Sequence, residues 1–435
     1  MKIGFYESDI TPPLGGIMPG YFSARRAITV HDRLYSKACV IEDKGTFSVI
    51  ISIDTCFVPS ELHNIVTERI YEYTHIPPEC VSITANHTHL GAPISEYALR
   101  CCPADETYTD VFYRLAADSA ILAYQNLDDA EIFFGTSVVD GISFCRDYIM
   151  KDGTYITSTS DYDNISQPLA VVDNQLTAVF VERDGKKIGA IINYPLHQDT
   201  VHPAVLGYSG DYSSVISKNL KERYGADFVS VFGIGTCGDV NHMDAAKKGE
   251  KYESYYYRKI GAILTDGVLK ACKNAVPVTG ALSSVKDIIS VKRRKLTFRQ
   301  FKDEINSRFE IEEHAMNVGN ITAYYMADMP DCNELYIHII AIGDLAVYLL
   351  PGELFTCYGL RIKAESPFKY NMVIENSNSD AGYIPSLKAF DECSRLYETS
   401  PAATSNLIPE AGNMITDKAL EMANGLFDGR CSSSS

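Results

Sequence analysis

Apolar positions along the chain switch repeatedly between short β-branched runs and longer stretches with helical spacing. Ala38–Ile41 and Phe47–Ile53 are dense apolar runs that predict a pair of strands. Ser60–Tyr73 carries Leu62, Ile65, Val66 and Ile70 on one helical stripe, behind Pro59 and Ser60 as a start signal. Val81–Thr84 predicts a short buried strand, Tyr108–Gln125 a helix and Glu131–Val139 another strand. Val171–Glu182 and Lys187–Tyr194 predict a hairpin turning at Asp184-Gly185. A helix near Tyr212–Arg223, a strand at Phe228–Phe232 and a long helix over Tyr252–Cys272 follow. Strands return at Glu334–Ile342 and Ala346–Leu350, a helix starts after Glu353, and Met372–Ile374 is a last short strand.

Hairpins mixed with strand–helix crossovers predict the α/β class, as a single large domain with mixed β-sheets flanked by helices. That domain is expected over residues 1–430, with 431–435 a disordered low-complexity tail. No internal repeat is visible. The charged stretch Arg293–Glu313 reads as an exposed excursion, and the basic run Lys292-Arg293-Arg294-Lys295 as a solvated face.

Composition narrows the function. A formal net charge of −17 argues against nucleic acid as a partner, because phosphate backbones are bound by clustered Lys and Arg. No stretch approaches the ~20 apolar residues of a transmembrane helix, and the N-terminus lacks the apolar run of a signal peptide. Twelve cysteines without a CxxC pair read as reduced thiols, which points to the cytoplasm and away from a thiolate zinc cluster.

Polar chemistry gathers at strand ends, where α/β proteins place ligand sites. His87-Thr88-His89 puts two imidazoles on one side of an extended segment. His197-Gln198-Asp199 and His202 follow the strand ending at Tyr194, with Asp211 close behind. The Gly-rich segment Gly233–Asp239 carries Cys237, read as a buried structural thiol, and leads to Asn241-His242. Pro351-Gly352-Glu353 brings a carboxylate to a strand–helix junction; with His87 and His197 it makes a donor set suited to zinc.

Taken in order, these blocks resemble the catalytic domain of the neutral (non-lysosomal) ceramidases. Ser8-Asp9-Ile10-Thr11-Pro12-Pro13 with Gly20-Tyr21 is similar to that family's opening. Thr84-Ala85-Asn86-His87-Thr88-His89, Ser209-Gly210-Asp211-Tyr212, Gly238-Asp239-Val240, Pro351-Gly352-Glu353-Leu354-Phe355-Thr356, Gly382-Tyr383-Ile384-Pro385 and Tyr397-Glu398 continue the match. The resemblance implies a zinc ion (Zn2+) held by His87, His197, Glu353 and Tyr383. It further implies His89 beside the activated water, and Tyr397 with Arg146 polarising the scissile carbonyl. Asp239 or Asp199 is expected to orient an imidazole. One departure matters: where the family reads Gly-Asp-Val-Ser-Pro, this chain has Asn241-His242, and asparagine is no nucleophile.

The expected function is therefore zinc-dependent hydrolysis of an amide (N-acyl) bond in a small-molecule substrate smaller than ceramide. An esterase, a sugar-directed hydrolase or a zinc lyase is the first alternative, and a non-catalytic ligand-binding relative the second. The sequence leaves a homo-oligomer open.

Overall fold

A computed structural model describes residues 1–21, 25–94, 106–244, 253–294, 329–401 and 404–433. Its organising feature is a topology used three times. A first strand (Lys2–Asp9, Glu131–Val138, Leu282–Lys292) lies antiparallel to a hairpin. The hairpins are Tyr35–Asp43 with Thr46–Ile53, Gln175–Arg183 with Lys186–Tyr194, and Cys332–Ile342 with Leu345–Leu349. Each leads to a helix (Ser60–Thr74, Asp211–Tyr224, Thr356–Glu365). A strand parallel to the hairpin comes next (Val81–Ala85, Val229–Ile234, Tyr370–Ile374). A long helix ends each unit (Glu106–Gln125, Tyr256–Lys273, Ala411–Ser433).

The repetition is invisible as residue identity because the fold asks only for alternation and helical stripes, which many sequences satisfy. In all three sheets one face turns to a shared apolar interior. Ile3, Phe5, Cys39, Ile41 and Ile50 come from the first, Val179, Val181, Ile191 and Val231 from the second, and Ile340, Ile342, Val347 and Ile374 from the third. Alternate residues face the other way, onto the helices: Val40, Val49 and Ile51, then Ala178, Phe180 and Ile192, then Ile337, Ile339 and Tyr348. Period-two side chains explain this directly, and each buried Val, Ile or Phe contributes about 1.5–3 kcal/mol relative to exposure.

The predicted α/β class with mixed sheets stands. Two local readings do not. Val171–Asn174 precedes the strand, which starts at Gln175: the Asp173 carboxylate accepts the Gln175 N–H at 3.0 Å, a turn that holds the chain out of the ladder. Arg293 and Arg294 are not a solvated face. Arg293 donates to the Cys332 carbonyl at 2.5 Å and Arg294 to the Thr399 carbonyl at 2.9 Å, tying the third sheet to the loops after Tyr397. Of the expected Arg293–Glu313 excursion, residues from 295 onward lie outside the described residues, as do 434 and 435 of the expected tail.

Candidate metal centre

Loops leaving the same end of the three sheets converge. Cys56 lies three residues beyond Ile53, His197 three beyond Tyr194 and Glu353 four beyond Leu349, each strand end being set by its parallel partner. The parallel strands themselves lead to His87, Cys237 and Glu375. Every one of these six side chains is buried.

The first loop is held in a costly conformation. His87 has φ +70°, a left-handed backbone uncommon outside glycine. Its N–H bonds to the Thr55 carbonyl at 3.0 Å, and Asn86 Nδ2 donates to Asp54 Oδ1 at 2.7 Å. Such over-determination is what lets a strained residue persist. Gly352, with φ +73°, plays the same part for Glu353: a Cβ there would meet the Ala381 Cβ and the Gly382 carbonyl oxygen at 2.7 Å. Glu353 and Tyr383 then pair in register across a two-residue parallel ladder.

At the centre His87 Nε2 and His197 Nε2 are 2.9 Å apart. Glu353 Oε2 lies 3.3 Å from the first and 3.7 Å from the second, buried and without a hydrogen-bond partner. The far side of His87 donates from Nδ1 to the Cys56 carbonyl at 2.8 Å, which leaves the Nε2 lone pair aimed inward. Cys237 holds the outer edge of His197, with its Sγ 3.9 Å from Nδ1. Lone pairs and a carboxylate facing one another need a cation or a proton between them. Burial, then the positive potential of His87, holds His89 and His197 well below the usual histidine range, as neutral imidazoles. Burial also opposes charge on His87, yet Cys56 and Glu353 outweigh it and raise His87 well above that range. The donor set fits a divalent metal. His87, His197 and Glu353 place one ligand atom each within 4.8 Å of one another, and so do Cys56, His87 and His89.

The remaining expected residues divide. His89 joins the centre, its Nε2 3.4 Å from His87 Nε2 and its Nδ1 3.8 Å from Asp199 Oδ1. Tyr21, to which no role was given, donates to Asp199 and stands edge-on to the His89 ring. Gly20 has φ +96° and passes so near that a Cβ would lie 2.4 Å from that ring. Tyr383 and Tyr397 meet edge to face at 5.5 Å. Arg146 is buried, donating from Nε to Glu398 Oε1 at 2.6 Å and from Nη2 to the Gly238 carbonyl at 2.7 Å, with its guanidinium over the Tyr383 ring. Among the described residues the expected orienting role of Asp239 finds no imidazole: Asp239 Oδ1 accepts the Thr356 N–H and hydroxyl at 2.8 and 2.7 Å, fixing the start of the helix behind Glu353. His202 is exposed and stays outside.

Sequence reasoning passed over Glu375-Asn376-Ser377-Asn378-Ser379-Asp380. Glu375 accepts the Leu354 N–H at 2.7 Å and the Cys237 thiol at 3.2 Å, and Asn376 Nδ2 lies 3.3 Å from His87 Nδ1. Its signal was available: six polar residues directly after an apolar strand.

Comparison with known proteins gives the family and the fold. The family model "Neutral/alkaline non-lysosomal ceramidase, N-terminal" matches residues 1–255, more than half of the chain. The chain belongs to that family. Neutral ceramidase from Pseudomonas aeruginosa superposes with a TM-score of 0.75 at 18% identity, over 98% of this chain and 74% of that one. A ceramidase solved in complex with C2 gives 0.76 at 18% identity, over 98% and 75%. No curated protein sequence matches. Membership of the ceramidase family carries amide hydrolysis of a small molecule and dependence on a metal, and the convergent imidazoles and carboxylate could hold one. Among the described residues no helix is long and apolar enough to cross a membrane.

Proposed function

We propose that this ceramidase-family chain is a zinc-dependent hydrolase of an amide (N-acyl) bond, with His87, His197, Glu353 and Tyr383 as the metal ligands. One observation carries the reading: two imidazole Nε2 atoms 2.9 Å apart, with an unpartnered buried carboxylate oxygen beside both. Two imidazoles and carboxylate or phenolate oxygens suit zinc better than magnesium or calcium, which take oxygen. Bound there, zinc acidifies water toward a pKa of ~7 and polarises a carbonyl.

The chain's own residues do the rest. His89, a neutral base beside the cluster, accepts the proton lost from the attacking water at Nε2, while Asp199 and Tyr21 hold its other edge. Tyr397 and Arg146 stabilise charge developing on the scissile oxygen, Arg146 by keeping Tyr383 and Tyr397 in place. A covalent route has little support. Asn241 stands in the family's serine position, and Cys237 donates its thiol to Glu375, with burial and that carboxylate raising its pKa well above the ordinary thiol value. The altered position also supports a substrate smaller than ceramide. Nine unpaired cysteines among the described residues support a reducing compartment, the cytoplasm.

The test is His197→Ala, with zinc content and turnover measured on N-acyl amides, esters and glycosides. Loss of the ion together with a fall in amide turnover beyond ~100-fold, more than an outer-sphere change produces, is expected. Zinc at full stoichiometry in that variant would remove His197 from the centre. Turnover of esters alone would move the activity to another class.

A further inference from the structure

Where the third unit closes against the first, a polar cluster lies that the amide chemistry does not use. Lys286, on the strand Leu282–Lys292, stands opposite His338 across the ladder. Its Nζ lies 2.5 Å from His63 Nε2 and donates to the Val81 carbonyl at 2.6 Å. His63, from the helix Ser60–Thr74, stacks on Tyr336 at 5.2 Å and 16°. The Lys286 Nζ is 5.4 Å from the same ring. His338 is fully buried, with Nδ1 2.6 Å from Ser82 Oγ and Nε2 without a partner.

This seam brings together three basic side chains and no ion-paired acid. Among the described residues Lys286 forms no salt bridge, and the pull of Cys80 and Glu79 on it is weaker than the effect of burial. An ammonium buried without an anion answers by shedding its proton. Burial accordingly lowers Lys286 to a pKa of about 7, and burial with the Lys286 charge lowers His63 to about 4. The result is a primary amine of which a large share, about half, lacks its proton at neutral pH and is nucleophilic, on a residue that keeps partial exposure.

We propose that Lys286 is a carboxylation site whose amine takes up carbon dioxide as a carbamate. The Nζ lone pair forms the new N–C bond, one C–O π pair moves onto oxygen to give the carboxylate, and the displaced N–H proton passes to His63 Nε2. Nothing is oxidised or reduced. Charge selects this electrophile. The carbamate supplies the anion the seam lacks, with the imidazole N–H groups of His63 and His338 as its donor partners.

The experiment uses the full chain at neutral pH in hydrogencarbonate, with carbamates trapped by triethyloxonium ion and located by mass spectrometry of peptides. Trapped carbamate on Lys286 should exceed that on the exposed Lys270 and Lys369 by at least about tenfold, the free-amine ratio that a single pKa unit gives. In Lys286→Arg the adduct should vanish from that peptide while the surface sites stay unchanged. Trapping on Lys286 equal to or below that on Lys369 overturns the proposal, as does an adduct surviving in the arginine variant. The wild-type ratio decides the matter even if that variant does not fold.

Discussion

Two buried polar clusters sit side by side beneath the converging loops, and they are built on opposite terms. His87, His197 and Glu353 bring acceptors face to face and leave Glu353 Oε2 unpartnered. Arg146, Glu398, Thr157 and Asp147 instead contain their own cation: Arg146 Nε meets Glu398 Oε1 at 2.6 Å, and the Thr157 hydroxyl lies 2.8 Å from both Glu398 Oε2 and Asp147 Oδ1. The first cluster is complete only with something from outside. The second carries its own cation in the folded chain and braces the Tyr383–Tyr397 pair beside the first. A buried charge pair costs much to desolvate and more to break, so geometry of this kind separates a site that recruits an ion from a scaffold that holds it.

The sharpest way to break that distinction is Arg146→Met. It leaves Glu398 buried without a counter-charge, and a loss of about 3–5 kcal/mol in urea-unfolding free energy is expected, with zinc still bound by the folded fraction. Adding Glu398→Gln should recover most of the loss. A cost below ~1 kcal/mol would show that the second cluster does not depend on its own cation. Chelation addresses the first cluster with a somewhat smaller effect. Removing zinc present at ~100 times its dissociation constant should cost about 2.7 kcal/mol of wild-type stability and nothing in His197→Ala. Equal losses in the two proteins would place the bound ion elsewhere.

Much of this was legible in advance, for a physical reason. Strands and helices declare themselves by period, so the hairpin at Lys186–Tyr194 and the helix Ser60–Thr74 were read to within a residue at most boundaries. Histidines clustered at strand ends marked the centre because few structural roles gather imidazoles there. What could not be read was the role of residues defined by distant partners. Glu398 matters only because Arg146 lies against it, 252 residues away in sequence. Asp239 was expected to steady an imidazole, but the N–H groups at a helix start are themselves good partners for a carboxylate, and Thr356 claims it. The threefold topology was hidden for a related reason: His197 and Cys56 occupy equivalent loops without sharing chemistry.

The smallest effect tests whether the second cluster carries a cost of its own. It holds two carboxylates to a single guanidinium. Burial, then the neighbouring Glu398, raises the Asp147 pKa well above its ordinary value, and Asp147 Oδ2 has no partner. For an acid raised on folding, the native state binds the proton more tightly than the unfolded chain. Stability is therefore greatest below the ordinary aspartate pKa and falls as pH rises from there toward the raised folded value. Asp147→Asn removes that titration while keeping the shape. It should stabilise the protein at pH 8 by something on the order of 1 kcal/mol, the scale of relieving one strained buried acceptor, with the advantage shrinking as the pH is lowered toward 4. Unfolding curves of both proteins across that range decide it. An advantage that grows toward low pH would mean that Asp147 is held as a stabilised anion, and that the Arg146 cluster carries charge for two.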